Sequence, residues 1–303
     1  MERLYYVIDA FTNERFAGNP AAVVLDAQGL DDAQMQAIAA EFNLSETTFI
    51  LPPTVDDAIV RFRWFTPTVE VAMCGHATIA GVKALVETGR VRHNDPSAST
   101  PLAIETMSGT LTAFVENLPQ SDDLMLWLDL PTPSLVEEKM NRAELASILG
   151  LAVDAFESSL PMIRTRDDDV IAFVKDFVTL NDARPNFTKL AEWQDRRRLR
   201  GLCLATVKTL TPSIHLQSRF FAPAAGINED PVTGSVHGPL AACLVKYGLV
   251  PVHEDGLAGL TCVQAQAGGR AGLIHALVGH NENGTYAVRI GGQAVTVMRG
   301  RLL

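Results

Sequence analysis

No apolar run in the sequence reaches membrane-spanning length, and no charged-then-apolar leader opens it. Neither bilayer insertion nor export is expected. Cysteine is scarce: Cys74, Cys203, Cys243 and Cys262 are scattered, with no CxxC pair. That pattern gives no disulfide framework, so the expectation is a cytoplasmic protein with reduced thiols. Positive charge is short as well, with 25 Lys and Arg against 35 Asp and Glu and a formal net charge of −10. Such a balance argues against a nucleic-acid partner and against an anionic membrane surface. The basic run Arg196-Arg197-Arg198-Leu199-Arg200 follows Glu192 and Asp195 and reads as a solvated helix end.

Cofactor signatures are missing too. There is no HExxH, no clustered Cys/His spacing and no DxDxDG loop, so no metal is indicated. A GxGxxG after a strand and a GxxxxGK(S/T) loop are both absent, which removes the usual nucleotide cofactors. No GxSxG elbow marks a nucleophile. Ser235 has no base placed for it by sequence, and a hydrogen bond to substrate is its better reading.

What the sequence does contain is a repeat. Sliding it by 159 positions lays residues 74–91 over 233–250 without a gap. Gly75 then meets Gly234, Leu85 meets Leu244, Val86 meets Val245, Gly89 meets Gly248 and Val91 meets Val250. Each copy follows an Arg-aromatic-Phe-x-Pro segment, Arg63-Trp64-Phe65-Thr66-Pro67 or Arg219-Phe220-Phe221-Ala222-Pro223. An alternating strand (59–65; 214–221) enters the proline loop, and a glycine opens an apolar run of helical length (77–86; 236–245). Gly89 and Gly248 stand where a helix C′ glycine belongs. We read one supersecondary unit used twice. A helix apolar around most of its circumference belongs in an interior, and strands wrapped around it would supply that burial.

The rest of the chain fits around these units. Residues 3–10 and 21–25 read as strands, and 32–42 as a helix with Asp31 as N-cap and Asn43 at its end. A β-rich run, 44–51, has Glu46 at its start; 102–107, 110–116 and 124–130 are further strands. Pro131-Thr132-Pro133 is the linker candidate, dividing the chain into domains 1–130 and 134–303, with room for the last strands to cross back to the first. In the second half we expect a helix at 142–149, strands at 161–164 and 170–175, a helix at 188–198 and a strand at 202–207. Four strands end the chain, at 261–267, 272–278, 285–290 and 294–298, with Gly291-Gly292 as a hairpin turn between the last two.

Three acid–base candidates adjoin the glycine turns: Glu46, His76 and Asp230. The first-turn N–H groups after Gly75 and Gly234 lack intrahelical partners and carry the positive end of the helix dipole. Paired by pseudo-symmetry, they would cradle a carboxylate or an enolate-like oxyanion, beside which an imidazole and two carboxylates could move a proton. Each residue also has a plainer reading. Asp230 before Pro231 suits a turn, His76 suits a helix cap, and Glu46 suits an exposed charge at a strand start. His237, His275 and His280 show no partner pattern and read as structural or surface residues.

The segments Val7-Ile8-Asp9-Ala10-Phe11-Thr12, Gly18-Asn19-Pro20-Ala21-Ala22-Val23, Ser45-Glu46-Thr47-Thr48-Phe49, Cys74-Gly75-His76-Ala77-Thr78 and Glu229-Asp230-Pro231-Val232-Thr233-Gly234-Ser235 resemble the PhzF family of phenazine-biosynthesis-like isomerases and epimerases. The likeness covers nearly the whole chain. It implies a diaminopimelate epimerase-like α+β fold. That fold has two pseudo-symmetric domains, each a curved, mostly antiparallel sheet or barrel around a central helix, with the site in the cleft between them. It also implies homodimers and no cofactor. On the matching positions, Glu46 would be the general acid/base, His76 and Asp230 would hold and polarise the substrate, and Gly75, Gly234 and Ser235 would lie against its carboxylate. Thiol-based racemases of this superfamily place a cysteine at both helix starts. Here Cys74 precedes Gly75 but Thr233 precedes Gly234, so a two-thiol mechanism lacks one base, and Cys74 reads as a packing residue or site neighbour. The expectation is a cofactor-independent isomerase for a small carboxylate-bearing substrate, with 2,3-dihydro-3-hydroxyanthranilate as the family's precedent. An amino-acid epimerase or racemase and a non-catalytic binding member are the alternatives.

Overall fold

The computed structural model describes every residue except Met1, Asn94, Pro96, Gln120, Asp122 and Ala267. The chain forms two units, Met1–Asp129 with Ile290–Leu303, and Leu130–Arg289. Among the described residues no helix is long and apolar enough to cross a membrane.

The first unit runs β1 (Arg3–Ala10), β2 (Asn19–Val24), α1 (Asp32–Phe42), β3 (Thr47–Leu51), β4 (Val60–Phe65), β5 (Glu70–Val71), α2 (Gly75–Glu87), β6 (Thr100–Thr106), β7 (Gly109–Asn117) and β8 (Leu124–Leu130). β1 pairs antiparallel with β2 and with the C-terminal strand Ala294–Leu302. β2 and β3 are parallel, β3 and β4 antiparallel, β4 and β6 parallel, and β6, β7 and β8 follow as antiparallel neighbours. α1 begins where its cap residues dictate. The Asp31 carboxylate accepts from the Gln34 backbone N–H at 2.8 Å while the Gln34 side chain takes the Asp31 N–H at 3.0 Å, a reciprocal capping box. Asn43 ends it in the left-handed region, φ 50°.

α2 is the interior helix. Its residues from Gly75 through Val82 are buried, as are Ala84 and Leu85, and it touches β1, β2, β3, β4 and the C-terminal strand. Ile79, Val82 and Leu85 each contribute about 1.5–3 kcal/mol by leaving water. The helix is followed by Gly89 at φ 69°, a conformation that costs a residue with a Cβ and spares glycine.

The second unit repeats the plan. Its elements are β9 (Val136–Glu138), α3 (Arg142–Leu149), β10 (Met162–Arg164), β11 (Asp169–Phe173), α4 (Phe177–Asp182), α5 (Phe187–Arg197), β12 (Gly201–Thr206), β13 (Leu216–Ala222), β14 (Ile227–Asp230), α6 (Gly234–Lys246), β15 (Ala258–Ala265) and β16 (Ala271–His280), and β17 (Tyr286–Gly292) begins in it and ends in the first. β11 and β12 are parallel, β12 and β13 antiparallel, β13 and β15 parallel, and β15 and β16 antiparallel. That is the order of senses found from β2 to β7. Each central helix has 13 residues, and Gly248 follows the second at φ 65°. The Arg-aromatic-Phe strands share a device as well. Arg63 makes a bidentate pair with Glu70 on β5 at 2.7 Å and lies over Phe65 at 5.1 Å. Arg219 does the same with Glu229 on β14 at 2.7 and 3.0 Å and lies over Phe221 at 5.0 Å.

Three sequence expectations need correction. Gly291 and Gly292 form no hairpin turn. They end β17 without a positive φ, and a Cβ on Gly291 would stand 2.3 Å from the Trp127 ring, so the glycine makes room for an indole. The basic run is not one solvated helix end. Arg196 and Arg197 hold Glu144, whereas Arg200 lies beyond the helix and grips buried Asp169. α4, at six residues, is too short to show a period in the sequence. The strand expected to reach Ala267 ends at Ala265, Ala267 being outside the described residues.

Candidate active site

In the first unit the chemistry gathers where α2 begins. Cys74 is its N-cap in extended conformation, and no side chain caps the first turn, so the amides after it carry the dipole's positive end uncovered by a cap. His76 projects from that turn and is 5% exposed. Glu46 immediately precedes β3, its carbonyl accepting from the Ala22 N–H at 3.3 Å, and brings Oε2 to 3.2 Å from His76 Nε2. On the other side of the ring, Asn19 Nδ2 lies 3.4 Å and Cys74 Sγ 3.5 Å from Nδ1. An amide nitrogen only donates, so Nδ1 accepts and the ring proton belongs on Nε2, facing the Glu46 carboxylate. Burial holds the His76 pKa down at about 3, and the ring is neutral at ordinary pH. It can donate a hydrogen bond or polarise a substrate, but as a cation it has no part. The helix start is fixed by Thr48, whose hydroxyl donates to the Ala77 carbonyl at 2.9 Å, and by Thr78, whose hydroxyl donates to that of Cys74 at 2.5 Å.

In the second unit the equivalent turn opens α6, again without a side-chain cap. Asp230 ends β14, and its Oδ2 accepts from the Thr233 hydroxyl at 2.5 Å. Fully buried Gln264 ties the turn together, donating to the Asp230 carbonyl at 2.7 Å and accepting from the Thr233 N–H at 2.9 Å. Ser235 Oγ accepts from Arg200 Nη2 at 2.9 Å, which leaves the hydroxyl proton to donate elsewhere. Arg200 is bidentate with Asp169, through Nε at 2.9 Å and through Nη2. Burial disfavours the guanidinium charge, but the Asp169 bonds outweigh it and Arg200 stays charged. His237 is structural: buried, it approaches the Thr233 carbonyl through Nδ1 at 2.8 Å and the Ser218 hydroxyl through Nε2 at 3.3 Å. Burial lowers its pKa to about 4 against the pull of that carbonyl.

Glu46, His76 and Gly75 therefore stand together in the first unit, and Asp230, Gly234 and Ser235 in the second. Sequence reasoning missed Asn19, Gln264 and the Asp169–Arg200 pair. A signal for Arg200 existed: it precedes β12 as Glu46 precedes β3, and each touches the second residue of its unit's central helix. The spacing between these two residues is five shorter than that between the helices, so an ungapped repeat hides it. The first-unit cluster also holds a donor set no spacing announces. One ligand atom each of Glu46, Cys74 and His76 lies within 4.8 Å of the others.

Two units with a buried helix inside a mostly antiparallel sheet define an epimerase-like fold. The chain shares it with a hydroxyproline epimerase of Agrobacterium vitis at TM-score 0.65 and 12% identity, over 99% of this chain and 92% of that one. A PhzF family protein of Bacillus anthracis matches at TM-score 0.89 and 29% identity, over 100% of this chain and 99% of that one. An uncharacterized isomerase of Clostridium acetobutylicum is 34% identical over 309 residues, covering 98% of this chain and 97% of its own length. The uncharacterized isomerase YddE of Escherichia coli K12 is 34% identical, over 97% of this chain and 96% of its own. The chain belongs to the PhzC-PhzF family of phenazine biosynthesis-like proteins, whose model matches residues 8–300.

Proposed function

We propose that the protein is a cofactor-independent isomerase that relocates a proton on a small carboxylate-bearing substrate, with Glu46 as the shuttle. The observation that carries this reading is the Glu46 carboxylate 3.2 Å from the Nε2 of a buried, neutral histidine at the start of an uncapped helix. Glu46 removes a proton from a carbon next to a carbonyl or carboxyl group, leaving an enolate-like anion, and the protonated carboxyl returns it to another carbon. His76 steadies the developing negative charge as a neutral donor. In the first unit Gly75 offers its helix start to a substrate carboxylate; in the second, Gly234 and Ser235 offer the same kind of contact, with Arg200 as a fixed positive charge beside Ser235 and Asp230 as a group that holds substrate. The working form is a cytoplasmic homodimer.

The test is solvent deuterium exchange into small carboxylic acids, read by mass spectrometry. Glu46→Gln should lower the exchange rate roughly 10²–10⁴-fold while leaving the fold intact. Equal exchange in the variant would remove Glu46 from the reaction. An epimerase using Cys74 is the second reading, favoured by the 3.5 Å approach of its sulfur to His76. Alkylation of Cys74 would then abolish exchange, and Glu46→Gln would not. A pure binding protein would label nothing in either form.

A further inference from the structure

We propose that Glu46, Cys74 and His76 form a receptor for a divalent ion of borderline softness, Zn²⁺ above all, and that the bound ion withdraws Glu46 from proton transfer. The second clause rests on the shuttle reading above; the first stands alone. Carboxylate oxygen, thiolate sulfur and imidazole nitrogen are the three donor types Zn²⁺ accepts, whereas Mg²⁺ and Ca²⁺ want oxygen throughout. Among the described residues this is the one group of three such side chains close enough to share an ion. Cys203, Cys243 and Cys262 are buried away from any such group.

The geometry needs little adjustment. Bonds of about 2.0–2.3 Å in a tetrahedral site put donor atoms roughly 3.3–3.8 Å apart. Glu46 Oε2 stands 3.2 Å from His76 Nε2 and Cys74 Sγ 3.5 Å from Nδ1 of the same ring, and one donor atom from each residue lies within 4.8 Å of the others. A rotation of the Cys74 side chain carries its sulfur from Nδ1 toward Nε2 to close the triangle. Cys74 and His76 ride on the first turn of α2 and Glu46 on the entry to β3, so the backbone positions are set before any ion arrives. Among the described residues His76 Nε2, in a side chain 6% exposed, meets the geometry of no hydrogen bond, although Glu46 faces it.

Asn19 completes the arrangement. Rotating its amide by half a turn brings Oδ1 to the place Nδ2 now holds, 3.4 Å from Nδ1. The ring proton then sits on Nδ1 and the Nε2 lone pair is available to metal, the usual outer-shell arrangement for a histidine ligand. On binding, one proton leaves the Cys74 thiol, and the imidazole keeps its own on the other nitrogen. Three protein ligands leave the fourth position open to water or to a substrate carboxylate.

The test uses the untagged full chain dialysed against micromolar Zn²⁺, with bound metal counted by mass spectrometry, and Co²⁺ as an optical probe. One ion per wild-type chain is expected, together with a thiolate-to-cobalt charge-transfer band. Cys74→Ser and His76→Gln should lose both, and Asn19→Ala should weaken binding roughly 10–100-fold. No bound ion, or one that persists in Cys74→Ser, overturns the proposal. If the variants fail to fold, the cobalt band of the wild type decides: without thiolate ligation the site does not exist. None of these readouts needs turnover, so a catalytically silent chain would give the same answer. Loss of deuterium exchange on adding Zn²⁺ is scored separately.

Discussion

Val71 and Asp230 occupy one register position, each opposite the aromatic residue of its Arg-aromatic-Phe strand, Trp64 or Phe220. Glu46 and Arg200 are a second such pair, Cys74 and Thr233 a third, His76 and Ser235 a fourth. At each position one scaffold carries two chemistries. Glu46 carries a carboxylate where its counterpart carries a guanidinium, which suits the single proton shuttle proposed above. The same scale governs acid stability. His76 and His237 stay neutral when folded down to about pH 3 and 4, but an unfolded imidazole takes a proton near pH 6.5. The unfolded state therefore gains protons first, and stability falls as pH drops from about 6.5 toward those values. His237→Asn should lose less between pH 7 and pH 5 than the wild type, in urea midpoints taken at both. Equal losses would show that His237 is not the group responsible.

At the scale of elements, the repeat was legible because its signals are local. An N-cap aspartate, C′ glycines and apolar runs fix α1, α2 and α6 to within a residue or two. What escaped was set by tertiary contact. β5, β9 and β14 are two to four residues long and exist because a neighbour pairs with them. Gly291 imitates a turn residue while its cause is the Trp127 ring. Asn19 joins the site from the start of β2, 57 residues before His76, which no motif relates to it. Gly81 gives a test of packing against propensity. Alanine should gain about 1 kcal/mol of helix propensity, yet its Cβ would stand 2.6 Å from the fully buried ring of Phe62, and overpacking costs about 1–3 kcal/mol. We expect Gly81→Ala to be net destabilising, seen as a lower denaturant midpoint with unchanged slope. A raised midpoint would mean the ring can move aside.

At the scale of the molecule, the two units do not follow chain order. Residues Ile290–Leu303 group with the first unit because Ala294–Leu302 pairs with β1 along its whole length, from Arg3 opposite Leu302 to Ala10 opposite Ala294. Deleting residues 290–303 should therefore strip amide-exchange protection from β1, β2 and α2 and spare α3, β11 and α5. Protection lost evenly across the chain would deny the units any independence.

That pairing also orders events at the ribosome. Leu130–Arg289 is one continuous stretch and can finish folding before residues 290–303 are made, whereas the N-terminal half must wait for those residues to deliver its closing strand. Until then the apolar surface of α2 has no complete shelter, and a nascent-chain chaperone would find its client in the half that is still waiting for its strand.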